Sequence, residues 1–386
     1  MGTVTFKYDD DDDYGTPKLE IPVRTRLQRL RLKYHQYRSL VLVIAALVFL
    51  LYWIRGREYD PTDWSRVAYV QYATDTHSLC NSLLIFETLK RLGSRADRVL
   101  LHPEEWHADP KDPDRDSQLL WRAMKDYGVR LKPTQLLGYD GPVDPGTLKN
   151  PSVYETSVSK LRIFELNEYD KVIYFDSDST LFQHMDELFS LPRTAIAMPR
   201  AYWSDSPRAQ WPLSSALMVI EPNAAETKHI WETLQWWRLS PERSDSRHYD
   251  NDLLNDRFGS SALVLPHRPY FMQSSEFREQ DHSAWLGSYG APASYSKWDA
   301  AAALKEVKLI HFSDWPLPKP WVMWPIAGLA EVQPDCGGVH IGTCDEREIW
   351  KGLYDDFRRR RKDICKILSI PAPQNWEKYK NETGAT

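Results

Sequence analysis

The sequence predicts an α/β fold, in which a parallel sheet is covered by helices. Apolar segments of strand length alternate with segments whose apolar residues recur every three or four positions, beginning with the strand Val67–Tyr72. The segment after it has Leu79, Leu83 and Phe86 on one helical face. This β-α-β-α-β order predicts parallel strands joined by right-handed crossovers, and the hydrophobic content of 42% permits a sizeable core.

The remaining elements follow from the same patterns, taken along the chain. The later predicted strands are 99–101, 129–131, 171–175, 195–198, 216–220, 262–265 and 307–312. The later predicted helices are 116–127, about 157–166, 185–189 and about 222–237, the last with Asn223 and Glu226 at capping-box spacing. Residues from about 273 to 303 are irregular and aromatic, which is typical of a loop lining a cleft. No G-x-G-x-x-G or Walker A segment follows the first strand, which argues against a dinucleotide or P-loop site.

A membrane anchor is predicted from the apolar run Leu40–Ile54. The run is slightly short for a bilayer, but Tyr52 and Trp53 fit a membrane interface. Basic residues are more frequent before it than after it, which predicts a cytosolic N-terminus, a lumenal domain and type II orientation. A buried core helix is the alternative. The predicted regions are a partly disordered tail 1–38, an anchor 39–54, a short stem 55–66, an α/β domain 67–330 and a cysteine-containing extension 331–386.

Charge and cysteine content narrow the class of protein. The net charge of -5 argues against nucleic acid as the main partner. Four cysteines, Cys80, Cys336, Cys344 and Cys365, allow three full pairings. We expect a bridge among the last three and interpret Cys80 as simply buried; a zinc site at 336–344 is a weaker alternative that lacks a fourth ligand. A sequon at Asn381 could accept a glycan in the lumen.

The basic run 358–362 near the end of the chain is interpreted as a solvated face, with an anionic membrane surface as a lesser alternative. Neither interpretation gives this run a place in the core.

The strongest chemical signal is Asp176-Ser177-Asp178, which directly follows the apolar strand 171–175. Open α/β sheets bind ligands where their strands end, and paired carboxylates there suit magnesium or manganese. An Asp-Ser-Asp turn without a ligand is the alternative. The segment through Thr180 also matches the D-x-D-x-T of aspartyl-phosphate phosphatases, with Asp176 as nucleophile, but the chain lacks the later motifs of that class.

Six motifs in order resemble glycosyltransferase family 8, the glycogenin-like enzymes, over most of residues 67 to 325. The closest resemblance is to the fungal branch that contains Golgi N-acetylglucosaminyltransferases. The motifs are Tyr72-Ala73-Thr74, Ser159-Lys160-Leu161, Asp176-Ser177-Asp178, Pro212-Leu213-Ser214-Ser215-Ala216, Asp250-Asn251-Asp252-Leu253-Leu254-Asn255, and His311-Phe312 with Lys319-Pro320-Trp321. Ala216 replaces a family glycine, Asn251 replaces a glutamine, and the gap from 313 to 318 is longer than in glycogenin.

The resemblance implies a GT-A fold, with a Rossmann-like mixed sheet flanked by helices. It also implies a retaining transfer of a sugar from a UDP-sugar donor to a glycan or glycoprotein acceptor. The sugar is expected to be N-acetylglucosamine and the acceptor possibly mannose-containing, with the enzyme in the Golgi membrane. Manganese or another divalent cation would be held by Asp176, Asp178 and His311, because carboxylate and imidazole suit that metal. Asp250 and Asn251 would be catalytic. The further donor contacts would be Tyr72, Ala73, Thr74, Lys160, Ser177 and Lys319.

Several alternatives stay open from the sequence. UDP-glucose or UDP-galactose would leave the same motifs, and a membrane-anchored carbohydrate-binding or scaffold protein could keep the fold without the chemistry. Lys160 is equally well explained as a solvated helix charge. Four tryptophans near the motifs are candidates for stacking on acceptor rings: Trp203, Trp211, Trp315 and Trp321.

Overall fold

The computed structural model of the chain divides it into two units, Met1–Pro61 and Thr62–Thr386. It describes residues 37, 42, 43, 46, 47, 63–138, 141–142, 157–240, 249–287, 297–314, 317, 319–337 and 343–372. Those of the first unit are helical and exposed. Within these ranges no helix has both the length and the apolar character needed to cross a membrane. Most of the predicted anchor 39–54, and the sequon at Asn381, lie outside the described residues, so the anchor and the region boundaries stay predictions.

A seven-stranded mixed sheet forms the centre of the second unit. The strands of this unit, numbered along the chain, are β1 Val67–Tyr72, β2 Asp97–Pro103, β3 Val129–Thr134, β4 Lys171–Phe175, β5 Ser179–Leu181, β6 Ile196–Pro199, β7 Leu217–Ile220, β8 Leu263–Leu265, β9 Met272–Gln273 and β10 Leu309–His311. The large sheet has the order β8-β6-β7-β4-β1-β2-β3. Only β7 runs antiparallel to its neighbours in that sheet. The predicted mixed α/β sheet is therefore confirmed.

Helices cover both faces of this sheet. The longer helices are α1 Thr76–Arg91, α2 Arg115–Tyr127, α3 Ala224–Leu239, α4 Asp250–Phe258, α5 Ala300–Glu306, α6 Ile326–Val332 and α7 Asp345–Arg360. Helices α1, α2 and α7 contribute to the core cluster on one face, and α3 and α4 to the cluster on the other. Two-residue strand pairs join Leu137–Gly138 to Gly141–Pro142 and Val322–Met323 to Ile370–Pro371. Each predicted strand is present, with its ends shifted by a few residues at most.

Two predicted helices are wound more tightly than expected. Ser157–Glu165 and Asp186–Ser190 are 3₁₀ helices. In the first, the Ser159 hydroxyl accepts from the N–H of Leu137 at 2.8 Å and donates to its carbonyl at 3.0 Å, which fastens this helix to the strand pair at Leu137. Asn223 caps α3 as predicted, whereas Glu226 pairs with Arg257 at 2.8 Å.

The interpretation of residues 273–303 as a cleft-lining loop is wrong for most of the described part. Single turns of helix occupy Ser274–Arg278 and Ser283–Leu286, and α5 follows. Phe277 and Trp285 are each 1% exposed, and both pack edge-on against Trp298. These aromatic side chains fill a core instead of facing solvent, since their large apolar area is best removed from water.

The interpretation of the basic run 358–362 as a solvated face holds for Arg359 and Lys362, which are exposed, but is wrong for Arg360 and Arg361. Arg361 is 1% exposed; its guanidinium donates to the carbonyl of His77 at 3.1 Å and to the side chain of Asn81. Arg360 donates to the carbonyl of Leu84 at 2.6 Å and pairs with Glu87 at 2.8 Å. The end of α7 therefore packs against α1, and its charges are used within the fold.

All four cysteines form disulfides. Cys336 bonds Cys344, which confirms a bridge among the C-terminal cysteines and removes the thiolates that a zinc site would need. Cys80 is fully buried, as expected, but it also bonds Cys365, a pairing that the sequence left open. Their sulfurs meet because residues 361–365, which follow α7 directly, lie against α1.

Removing the long-range disulfide is expected to destabilise the chain more than removing the short one. Cys80–Cys365 has a sequence separation of 285 residues, against 8 for Cys336–Cys344. In the chain-entropy model these closures contribute about 5.6 and about 2.5 kcal/mol. Thermal unfolding of the two paired Cys→Ala variants of the full chain should show the larger drop in Tm for the first. A larger drop for the second would contradict the packing of the C-terminal segment on α1.

Candidate active site

The predicted acidic motif lies where the central strand β4 ends, at the carboxyl edge of the parallel strands. The N–H of Asp176 donates to the carbonyl of Ala216 at 3.1 Å. Strand β5 then pairs antiparallel with β10, with Ser179 opposite His311. The N–H of Phe312 donates to the carbonyl of Asp178 at 2.9 Å. This strand pairing places His311 beside the acidic motif, although the two are more than a hundred residues apart in the sequence.

Asp176, Asp178 and His311 form a cluster able to hold a metal. One ligand atom from each lies within 4.8 Å of the others. The Nε2 atom of His311 is 3.3 Å from an Asp178 oxygen and 3.9 Å from an Asp176 oxygen. Two carboxylates and one imidazole fit a divalent cation such as manganese. The donor set predicted from the sequence is therefore assembled in one place.

Lys319 completes one side of this cluster. Its Nζ lies 2.6 Å from Asp178 Oδ2 and donates to the carbonyl of Phe312 at 2.9 Å. Burial by itself would raise the pKa of the Asp178 carboxyl, but the ammonium of Lys319 and the hydrogen bonds from His311 and Lys319 outweigh it and lower that pKa well below its usual value. Asp178 is therefore a carboxylate, which is the form that binds a cation.

Lys160 is buried between two carboxylates, so its interpretation as a solvated charge is wrong. The residue is 4% exposed, and its Nζ is 3.0 Å from Asp176 Oδ1 and 2.9 Å from Asp250 Oδ2. Burial favours the neutral amine, but the two carboxylates prevail and raise the pKa of Lys160 above its usual value. Tyr174 donates to Asp176 at 2.6 Å, and Ser215 donates to Asp250 at 2.7 Å. Every charge in this network has a partner.

The predicted catalytic pair lies in the first turn of α4. Asp250 is 5% exposed and belongs to the Lys160 network. The Asn251 side-chain oxygen accepts from the N–H of Ser215 at 2.8 Å, which fastens α4 to the segment before β7. Asp252, which the sequence could not separate from Asp250, accepts from the N–H of Tyr249 at 2.9 Å. It caps the helix and does not join the cluster.

The predicted segment Tyr72-Ala73-Thr74 lies at the end of β1, the strand beside β4. The Tyr72 ring is 5.9 Å from that of Tyr174, and burial raises the pKa of its hydroxyl above its usual value. Ala73 is fully buried and bonds β2 through its N–H. The N–H of Thr74 donates to the Ser78 hydroxyl at 3.0 Å. Only Tyr72 approaches the charged network through its side chain.

A cleft of about 640 Å³ opens beside the cluster. The predicted residues that line it are Asp176, Asn251 and His311, together with the motif 212–216. Gln273 also lines it, as expected for the start of the segment 273–303. The lining that sequence reasoning missed comprises Ala201, the loop 204–206 and Ser313, none of which was assigned to the site. Trp203 also lines the cleft. A second cavity, of about 450 Å³ between α1, β5 and the end of α7, contains no member of the cluster.

The chain is similar to curated proteins over most of its length. No protein-family model matches it. Glucose N-acetyltransferase 1 of Aspergillus fumigatus is 44% identical over 346 residues, which cover 84% of this chain and 86% of that protein. Glucose N-acetyltransferase 1 of Gibberella zeae is 42% identical over 322 residues, 81% of this chain and 65% of that protein. A solved galactosyltransferase in complex with donor and acceptor sugar analogues covers 81% of this chain and 99% of its own, with a TM-score of 0.42 and 12% identity, a similarity too low to support a conclusion.

Replacing Lys160 by Met is expected to destabilise the fold by about 3–5 kcal/mol, because the carboxylates of Asp176 and Asp250 would lose the cation between them. Lys132 provides a matched control. It pairs with Glu168 at 2.6 Å, but the two side chains are 43% and 48% exposed, so Lys132→Met should cost less than about 1 kcal/mol. Urea unfolding of both variants measures the difference. Equal losses would contradict a buried, ionised Lys160.

Proposed function

Because the chain belongs to the glucose N-acetyltransferase 1 family and is a glycosyltransferase, we propose that it transfers N-acetylglucosamine from a UDP-sugar to a glycan acceptor, with retention of anomeric configuration. The observation that carries the proposal is the cluster of Asp176, Asp178 and His311 at the end of β4, with Lys319 beside it. A nucleotide-sugar transferase needs such a concentration of cation ligands and positive charge where its leaving group departs.

The proposed donor site consists of three metal ligands and a lysine. Asp176, Asp178 and His311 would hold manganese or another divalent cation, whose Lewis acidity would stabilise charge on the departing diphosphate. Lys319 would add a point charge there. In the structure its ammonium pairs with Asp178, and we expect it to turn from that carboxylate towards a donor phosphate. Tyr72, Ala73 and Thr74, at the end of the neighbouring strand, would meet the nucleoside.

Asp250 and Asn251 are proposed to act at the transferred sugar. Asn251 lines the cleft, and its side-chain oxygen is held by Ser215, which leaves the amide N–H groups to contact a hydroxyl of the sugar. Asp250 is fixed through Lys160 next to Asp176. A carboxylate held there stabilises positive charge that develops at the anomeric carbon in a retaining transfer. Lys160 would then act as a positioning residue, since both of its carboxylate partners depend on it.

The name of the Aspergillus and Gibberella relatives favours N-acetylglucosamine over glucose or galactose as the transferred sugar. The phosphatase alternative needs Asp176 as a free nucleophile, yet one of its oxygens is engaged by Lys160 and Tyr174. A binding or scaffold protein would have no use for the cation cluster. The mixed sheet agrees with the GT-A fold that the sequence resemblance implied.

We further propose that the chain is a Golgi protein with a type II anchor and a lumenal catalytic domain. The two disulfides support this placement, because such bonds form and persist in oxidising compartments. The apolar run Leu40–Ile54 and the excess of basic residues before it give the same orientation.

Asp178→Asn is expected to lower cation-dependent hydrolysis of the UDP-sugar by about 100-fold or more, because one oxygen ligand loses its charge. Hydrolysis by the full chain in detergent would be measured with UDP-N-acetylglucosamine, UDP-glucose and UDP-galactose, each with manganese and with EDTA. Asp355→Asn is the matched control, since that side chain is 77% exposed and pairs only with Arg358 among the described residues. We expect UDP-N-acetylglucosamine to be the preferred donor. Full activity of Asp178→Asn would refute the proposed site.

A further inference from the structure

One wall of the cleft carries an exposed aromatic ring. Of the three candidate tryptophans that the structure describes, Trp211 is 4% exposed, and Trp321 packs against Phe357 and His77. Trp203 is 36% exposed and lines the cleft. Trp315 lies outside the described residues. Among the described candidates, Trp203 is therefore the one that can offer a stacking surface to a bound ring.

Buried neighbours fix the position of the Trp203 ring. Phe271 is fully buried and stacks on it, with the ring centroids 5.4 Å apart and the planes at 28°. Tyr202, 3% exposed, meets it edge-on at 5.2 Å. Phe271 also contacts the ring of His311 at 5.9 Å. A single shared aromatic neighbour thus connects Trp203 to the cation ligands, so that a sugar resting on Trp203 lies close to the reacting centre.

Polar groups with unused hydrogen-bonding capacity lie on the same wall. Asp205 is exposed, and its carboxylate has no hydrogen bond or ion pair within the described part of the chain. Gln273 is 6% exposed; its side-chain oxygen accepts from Ser275 at 3.3 Å, while its two amide N–H groups have no partner among the described residues. An apolar ring, a carboxylate acceptor and an amide donor are what a pyranose needs, because it presents one apolar face and a rim of hydroxyl groups.

We propose that Trp203, Asp205 and Gln273 form the subsite for the terminal hexose of the glycan acceptor. The proposal rests on the proposed function and extends it to the second substrate. Tyr72 and Lys319, which we assign to the nucleoside and a phosphate of the donor, are not among the described residues that line this cleft, so that part of the donor would lie outside it. Asp176, Asn251 and His311 line the same cleft, so the acceptor hydroxyl and the donor sugar would meet there.

The test separates acceptor binding from donor chemistry. The full chain, in detergent, is supplied with UDP-N-acetylglucosamine and manganese. Two rates are measured: hydrolysis of the donor without acceptor, and transfer of N-acetylglucosamine to an acceptor sugar. The acceptor probes are methyl α-mannoside, methyl α-glucoside, methyl β-glucoside and methyl β-galactoside. Trp203→Ala is compared with Trp236→Ala, a matched control whose side chain is 56% exposed on α3, outside the cleft. Asp205→Asn is a second variant that removes charge from an exposed side chain without disturbing the core.

We expect Trp203→Ala to raise the acceptor KM by about 10-fold or more, as the loss of one stacking contact implies. Its hydrolysis of donor without acceptor should stay within about 2-fold of the unaltered chain, because no donor contact changes. Asp205→Asn should also raise the acceptor KM, and Trp236→Ala should leave it unchanged. If Trp203→Ala fails to fold, the Asp205→Asn result decides.

An unchanged acceptor KM in Trp203→Ala, or in Asp205→Asn where that variant decides, would overturn the subsite. So would a chain that hydrolyses the donor but transfers to none of the four hexosides. Absence of donor hydrolysis by the unaltered chain is a different outcome, since it would refute the proposed function itself.

Discussion

The site depends on one buried ammonium, that of Lys160, which lies between Asp176 and Asp250 at 3.0 and 2.9 Å. These carboxylates reach it from a strand end and a helix start that are far apart in the sequence. Without the cation they would repel each other at low dielectric, and Asp176 would lose its orientation towards Asp178 and His311. A buried ion pair gives little net stability against a well-packed apolar substitute. We therefore infer that the main role of Lys160 is to fix the distance between Asp176, the proposed metal ligand, and Asp250, the proposed catalytic carboxylate.

Helix α7, near the C-terminus, packs against the residues that follow β10 and so contacts the surroundings of the same site. Asp314, which is 3% exposed, follows β10 and accepts from Trp350 Nε1 at 3.0 Å and from the Tyr354 hydroxyl at 2.8 Å, both on α7. Helix α7 is held on α1 by buried arginines and by the Cys80–Cys365 disulfide. The chain is therefore anchored at Asp314, a few positions before Lys319. Helix α7 thus belongs to the framework around Lys319, the proposed phosphate-binding lysine.

Much of the fold could be predicted because local patterns determine it. Most strands of the large sheet contain a run of apolar residues, and β4 could be identified with the acids that follow it. The reversed direction of β7 had no local signal, since direction follows from the connections on either side. The burial of Lys160 and of Arg361 was missed for a related reason. A basic residue on a helix has the same pattern whether it faces water or a distant carboxylate, and only tertiary contacts distinguish the two.

The site was predicted as a set of residues, but its shape was not. Motif order brought Asp176, Asp178, His311 and Lys319 together correctly, because each lies at an end of a strand or in the loop after it. The cleft wall at Asp205 could not be predicted, since an exposed Asp matches no spacing rule. Gln273 does line the cleft, as expected for the segment 273–303, although most of the described rest of that segment does not. The many aromatic residues in 273–303 were wrongly expected to line a cleft. Phe277 and Trp285 fill the core, whereas Trp203, outside that segment, lines the cleft.

The most direct test of the central claim, that the Asp-Asp-His cluster holds a cation for a nucleotide donor, is a calorimetric titration of the full chain with UDP. With manganese present we predict saturable binding at one site per chain, and with EDTA in its place we predict none. Binding of equal strength in both conditions, or no binding with manganese, would contradict the account.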